Sequence, residues 1–126
     1  MNAGFLEALK EGDWKCFIFH DVDLLPQNKL SFYKCRSRPT HFSAAIDKYN
    51  YTVPYHGIFG GAIAMFKEFF KEINGFSNEF WGWGGEDDNM RERVLATGTK
   101  FHRLPDNAGR YKMLRHPPDI GNPENP

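Results

Sequence analysis

The run Cys16-Phe17-Ile18-Phe19 reads as a short buried strand, and it runs straight into His20-Asp21-Val22-Asp23 before Pro26 closes it. A helix is expected ahead of it. Asn2 to Gly12 carries Phe5, Leu6 and Leu9 on one face, with Gly12 as its stop. His41 to Asp47 is expected to form a second strand. Ala62 to Asn74 spaces Ile63, Phe66, Phe69, Phe70 and Ile73 for a helix, with Gly75 as its C-terminal cap. Glu86 to Thr97 reads as a further helix closed by Gly98, followed by a strand at Thr99 to Leu104 and then Arg110 to His116. Two loops rich in Gly and aromatic residues, Tyr51 to Gly61 and Phe76 to Gly85, separate these elements. Strands alternating with helices argue for an α/β layered fold, and 126 residues suffice for one small domain.

Charge narrows the partners. Sixteen acidic residues balance sixteen basic ones, and no basic run or face is visible, so neither nucleic acid nor an anionic membrane surface is indicated. The longest uninterrupted apolar stretch, Ile58 to Phe66, is nine residues, whereas a span needs about twenty. The first residues carry acids and read as an amphipathic helix, not a signal peptide. Both ends look like interruptions, so the chain is expected to be a piece of a larger domain, and any membrane anchor lies outside it. Twelve Phe, five Tyr and three Trp can fill a core or cover the apolar faces of sugars. Cys16 and Cys35 leave room for one disulfide or for two buried thiols. Asn50-Tyr51-Thr52 is a glycosylation sequon.

Two constellations carry chemistry. In Asp21-Val22-Asp23, strand alternation puts both carboxylates on one side and returns Val22 to the core. Ligands of open α/β sheets bind outside the carboxyl ends of strands, and two carboxylates there suit Mg²⁺ or Mn²⁺. A solvated surface turn is the bland alternative. An EF-hand is excluded, because Leu24-Leu25-Pro26 stands where its loop glycine belongs. The second constellation is Trp81-Gly82-Trp83-Gly84-Gly85-Glu86-Asp87-Asp88. Its glycines allow close approach to a ligand, its tryptophans can stack on sugar rings, and its acids fall at the positive end of a helix. Acids at that place often merely cap a helix, but a cap does not need two tryptophans in a glycine-rich loop. In Met113-Leu114-Arg115-His116, the thioether is a poor match for Mn²⁺ and the histidine alone reads as structural.

Taken together, Phe17 to Leu24, Tyr55 to Gly61 with its Phe59-Gly60-Gly61, Trp81 to Asp88 and Met113 to His116 resemble the β-1,4-galactosyltransferase family, in order and over nearly the whole chain. The resemblance implies the C-terminal part of a GT-A catalytic domain, a mixed sheet flanked by helices. It places the parent protein in the Golgi lumen as a type II membrane protein. It implies that Asp23, Met113 and His116 hold Mn²⁺ and that Asp21 contacts the UDP side of the donor. Gly61 and Glu86 would lie against the donor sugar, and Asp87 would be the catalytic base. Trp83 would sit on a small loop closing over donor and acceptor, with Gly84 beside it. Tyr55 and Asp88 would hold the acceptor, a terminal N-acetylglucosamine (GlcNAc). The resemblance also implies a Cys16–Cys35 disulfide, in keeping with an oxidising compartment.

Departures from the family pattern refine the expectation. The family's upstream Arg-rich nucleotide-binding motif has no counterpart here, nor do the residues that complete its lid. Asn89 stands where several members have a third acid, and His20 where some have Ser. Ile58 precedes Phe59-Gly60-Gly61 where vertebrate galactosyltransferases of the family carry Tyr. Relatives with Ile or Leu there use UDP-N-acetylgalactosamine (UDP-GalNAc), since losing the phenol opens space beside the donor's C2 substituent. The expected reaction is therefore transfer of GalNAc from UDP to the 4-hydroxyl of GlcNAc with inversion. A UDP-galactose transferase with the same site, a sugar-binding module without catalysis and an inactive fragment are the alternatives.

Overall fold

The computed structural model describes residues 1–118 and 120–126. In chain order the elements are α1 (Asn2–Glu11), β1 (Cys16–His20), β2 (Leu24–Pro26), β3 (Thr40–His41), β4 (Ala45–Ile46), a 3₁₀ turn at Asp47–Tyr49, β5 (Ala62–Phe66), α2 (Lys67–Glu72), α3 (Glu86–Ala96), β6 (His102–Arg103) and β7 (Arg110–Met113). One sheet runs β1-β5-β3-β6 and the other β2-β7-β4. Both are mixed: β3–β6 and β4–β7 pair in parallel and the other neighbours antiparallel.

The expected helix at Ala62 to Asn74 starts late: its first five residues are strand β5. The reason is two-sided burial. Ile63 and Met65 face one apolar cluster, with Phe5 of α1, Phe17 and Phe19 of β1, Phe70 of α2, and Met90 and Val94 of α3. Ala62 and Ala64 face another, with Leu24, Phe42, Ile46 and Tyr111. A strand buried on both faces is apolar throughout, so period two disappears and the run blends with the apolar spacing of α2. Helices thus cover one face of the larger sheet and the smaller sheet covers the other.

Other boundaries also move. His41 to Asp47 breaks into β3 and β4, and Thr99 to Leu104 contributes only the two residues of β6. Pro26 does not close β1, which ends at His20, but is the last residue of β2, an edge strand where its missing N–H is tolerated. Cys16 and Cys35 are bonded, their Cα atoms 5.5 Å apart, which removes the free-thiol alternative and ties the start of β1 to the segment leading into β3. Asn50 is exposed, and the Thr52 hydroxyl donates to the Tyr49 carbonyl at 2.7 Å. No helix among the described residues is long and apolar enough to cross a membrane.

Candidate active site

β1 ends at His20, and Asp21 to Asp23 form a turn rather than a continued strand: the Leu24 amide donates to the Asp21 carbonyl at 3.3 Å. Val22 is 95 % exposed, so it points to solvent and not to the core as strand alternation suggests. Both carboxylates nevertheless face one cavity. The Asp21 amide donates to the Gly61 carbonyl at 2.7 Å, which fastens this turn to the start of β5. Beside it, the Tyr33 hydroxyl and the His20 ring Nε2 are 2.5 Å apart, so His20 braces the turn from behind.

The smaller sheet delivers the other half of the site. Leu24 pairs with Met113, and the Leu114 amide donates to the Asp23 carbonyl at 2.7 Å. That register carries His116 back over Asp23, with Nε2 3.1 Å from Asp23 Oδ2. The other ring nitrogen, Nδ1, donates to the Pro117 carbonyl at 2.9 Å, and this contact, followed by the Asp23 carboxylate, raises the His116 pKa. With Nδ1 carrying the hydrogen, neutral His116 presents its Nε2 lone pair toward Asp23.

α3 supplies the acids. Gly85 enters it at φ +89°, a left-handed conformation that glycine adopts freely, and makes no side-chain cap. Glu86, Asp87 and Asp88 of the first turn all line the cavity. Asp88 Oδ1 accepts the Tyr55 hydroxyl at 3.0 Å; burial, and then this bond, push the Tyr55 pKa up to about 12. Asp87 lies directly against Gly60, where a Cβ would collide with its carboxylate. Burial, then the charges of Glu86, Asp21 and Asp88, raise Asp87 to about 7. Partial burial and the Asp23 charge raise Asp21 as well. Glu86 Oε2 is buried with no hydrogen-bond partner, an arrangement that costs about 1–3 kcal/mol until a donor arrives.

These residues meet in one cavity of about 420 Å³, lined by Asp21, Asp23, Tyr55, Ile58, Gly61, Trp83, Gly84, Glu86, Asp87, Asp88, Met113 and His116. Every residue the sequence nominated for donor, acceptor, metal or base is on its wall. The Trp83 side chain is 63 % exposed at the rim. Its loop is strapped from outside: Trp83 N donates to the Pro123 carbonyl and Asn125 N to the Trp83 carbonyl, each at 2.9 Å. Sequence reading missed Lys48, the one Lys or Arg on the described wall. A lone cation among five carboxylates is a signal only once the fold joins them. It also missed His41, Ser43 and Arg103 behind the wall, where alternation of His41 and Ser43 along the chain was the available sign.

A divalent cation fits part of this wall. Asp23 Oδ2 and His116 Nε2, 3.1 Å apart, would supply it an oxygen and a nitrogen ligand. No group of three His, Cys, Asp or Glu side chains converges among the described residues. The protein thus offers a carboxylate–imidazole pair beside the Met113 thioether.

Comparison with known proteins agrees with this arrangement. A family model described as the N-terminal domain of galactosyltransferase matches residues 40–117, and one described as the N-terminal region of glycosyl transferase group 7 matches residues 1–36. Human β-1,4-galactosyltransferase 2 is 49 % identical over all of the chain, which covers 34 % of that protein. Human β-1,4-galactosyltransferase 4 is 48 % identical over 99 % of the chain and 36 % of its own length. The chain therefore spans about a third of these relatives. A variant of Drosophila β-1,4-galactosyltransferase 7, solved in complex with manganese, UDP-Gal and xylobiose, superposes with a TM-score of 0.75 at 31 % identity over 91 % of this chain and 49 % of that one. The catalytic domain of the same enzyme with xylobiose gives 0.73 at 30 % identity over the same shares. The fold is part of a GT-A domain, and the chain belongs to the β-1,4-galactosyltransferase family.

Proposed function

We propose that this chain is the C-terminal part of the catalytic domain of an inverting hexosyltransferase that uses a UDP-sugar donor and a sugar acceptor. The observation that carries the reading is the single cavity in which the Asp23–His116 pair faces the Asp87 and Asp88 carboxylates. In the reaction, the Asp87 carboxylate takes the proton of the acceptor hydroxyl as its oxygen bonds to the anomeric carbon. The bond from that carbon to the UDP oxygen breaks, UDP leaves with the electron pair, and an α-linked sugar becomes β-linked. When bound, a cation held by Asp23 and His116 beside Met113 offsets the charge that builds on the departing diphosphate. Lys48 stands on the same wall to assist. Glu86 Oε2 accepts a donor-sugar hydroxyl, and Tyr55 and Asp88 orient the acceptor.

The relatives named above are galactosyltransferases, and this favours galactose as the donor sugar over the GalNAc that Ile58 suggests. Ile58 does line the cavity, so the second reading keeps a specific basis. The acceptor is proposed as terminal GlcNAc, and the compartment as the Golgi lumen, reached by an anchor in the parent protein and consistent with the Cys16–Cys35 bond. The deciding experiment offers the full-length protein equal UDP-Gal and UDP-GalNAc with GlcNAc or xyloside acceptors, with Mn²⁺ and with EDTA. Transfer of galactose to GlcNAc that stops in EDTA is the expected result. Absence of transfer from either donor to any acceptor sinks the enzyme reading.

A further inference from the structure

Behind the cavity wall lies a buried polar cluster to which the reaction above gives no role. Thr40 and His41 of β3 pair in parallel with His102 and Arg103 of β6, and that register sets Arg103 beside His41. His41 is fully buried. Its Nε2 lies 2.9 Å from the Gly60 carbonyl, and its Nδ1 lies 3.1 Å from Arg103 Nε. Since Arg103 can only donate, Nδ1 accepts and Nε2–H donates to Gly60. Burial, then the Arg103 charge, lower His41 to about 4, which keeps the ring neutral in this one tautomer. Arg103 Nη2 donates to two further carbonyls, those of His56 at 3.0 Å and Ile58 at 2.6 Å. From the same strand segment, the Ser43 hydroxyl donates to the Gly60 carbonyl at 2.9 Å and accepts the Ala62 amide at 3.0 Å. Three side chains thus hold three carbonyls of one five-residue stretch that has no ladder of its own.

We propose that Arg103 and His41 are positioning residues that set donor recognition by fixing the backbone from His56 to Gly60. That stretch carries Ile58 on the cavity wall and Gly60 beneath the Asp87 carboxylate. Neither residue lines the cavity, so each acts through the backbone it holds. Rigid support of this kind matters because a shift of about 1 Å in a reacting group can cost on the order of a hundredfold in rate. Arg103 is suited to it by its planar fork, which reaches His41 through Nε and two carbonyls through Nη2; a lysine offers one point charge and cannot span all three.

This inference rests on the UDP-sugar reading for its functional half, and the test separates the two. In the full-length protein, Arg103→Lys, His41→Gln and His41→Leu are compared with the wild type by hydrogen–deuterium exchange, by thermal melting, and by kcat/KM for UDP-Gal and UDP-GalNAc. Exchange in residues 56–61 should rise about tenfold in Arg103→Lys and His41→Leu with the β1 and β5 peptides unchanged. The ratio of kcat/KM between the two donors should shift at least roughly threefold, with acceptor KM unmoved, and His41→Gln, which keeps an N–H donor, should recover part of both effects. Exchange that rises equally in β1 and β5, or a donor ratio that stays at the wild-type value, overturns the proposal by reducing these residues to general stability. A wild-type protein that transfers no sugar removes the enzyme reading, and unchanged exchange at 56–61 would still reject the positioning of this backbone.

Discussion

Asp87 is a side chain whose charge is held at a cost to stability. Its carboxyl sits among Glu86 and Asp88 of α3, Asp21 of the β1 turn and the backbone of Gly60, with the Tyr55 hydroxyl held on Asp88 nearby. Its pKa rises from the usual carboxylate value near 4 to about 7. The unfolded chain therefore loses this proton first as pH increases. Stability contributed at low pH is lost between about pH 4 and pH 7, with an upper bound of ~4 kcal/mol. Asp87→Asn in the metal-free full-length protein should raise Tm at pH 8 and leave it unchanged at pH 3.5; equal melting at both would show that the carboxyl is not strained. The same variant should lose about 10²- to 10⁴-fold in kcat, the range for a lost general base. At Ile58, replacement by Tyr adds a phenol ring to the cavity wall. Ile58→Tyr should move donor preference toward UDP-Gal in a competition assay, and an unmoved ratio means that Ile58 does not set donor choice.

At the scale of elements, the site was more legible than the fold that holds it. The Asp21 to Asp23 triplet and the Trp81 to Asp88 run can be read from their residue types, whereas His116 alone reads as structural and joins the site only through the family resemblance. Strand β5 cannot be read this way, since Ala62 to Met65 are buried on both faces and leave no alternation to find. The two-residue strands β3, β4 and β6 are likewise invisible without their partners, as their pairing comes from segments up to 65 residues away. Val22 was misplaced for the converse reason: local alternation was extended past the last paired residue, His20, into a turn. The two-sided burial of β5 has a measurable consequence. Ala64 faces Phe42 and Tyr111 with no exposed surface, so Ala64→Leu should overpack the layer between the sheets and cost about 1–3 kcal/mol in denaturant unfolding. A loss below ~0.5 kcal/mol, the usual size for surface positions, would mean that the two sheets are not packed through this strand.

Across the whole molecule, the cavity joins parts of the chain that share no continuous sheet. Asp23 follows the larger sheet's edge strand β1, whereas His116 follows β7 of the smaller sheet, ninety-three residues later. Without a cation, the side-chain link between them is one contact whose histidine is largely exposed, and exposed pairs of this kind add little to stability. A cation bound by both replaces that contact with coordination that exists only in the folded state. It should therefore stabilise the full-length protein by mass action, ~2.7 kcal/mol when its concentration is a hundred times Kd. Melting curves of the full-length protein with and without Mn²⁺ should show this as a concentration-dependent rise in Tm, reversed by EDTA. The rise should vanish in Asp23→Asn and in His116→Ala, because either change leaves only one end of the bridge. It should survive in Asp87→Asn, because Asp87 is not part of the Asp23–His116 pair. An Asp23→Asn protein that still gains the full increment would place the cation elsewhere and would detach the acidic first turn of α3 from the chemistry assigned to it.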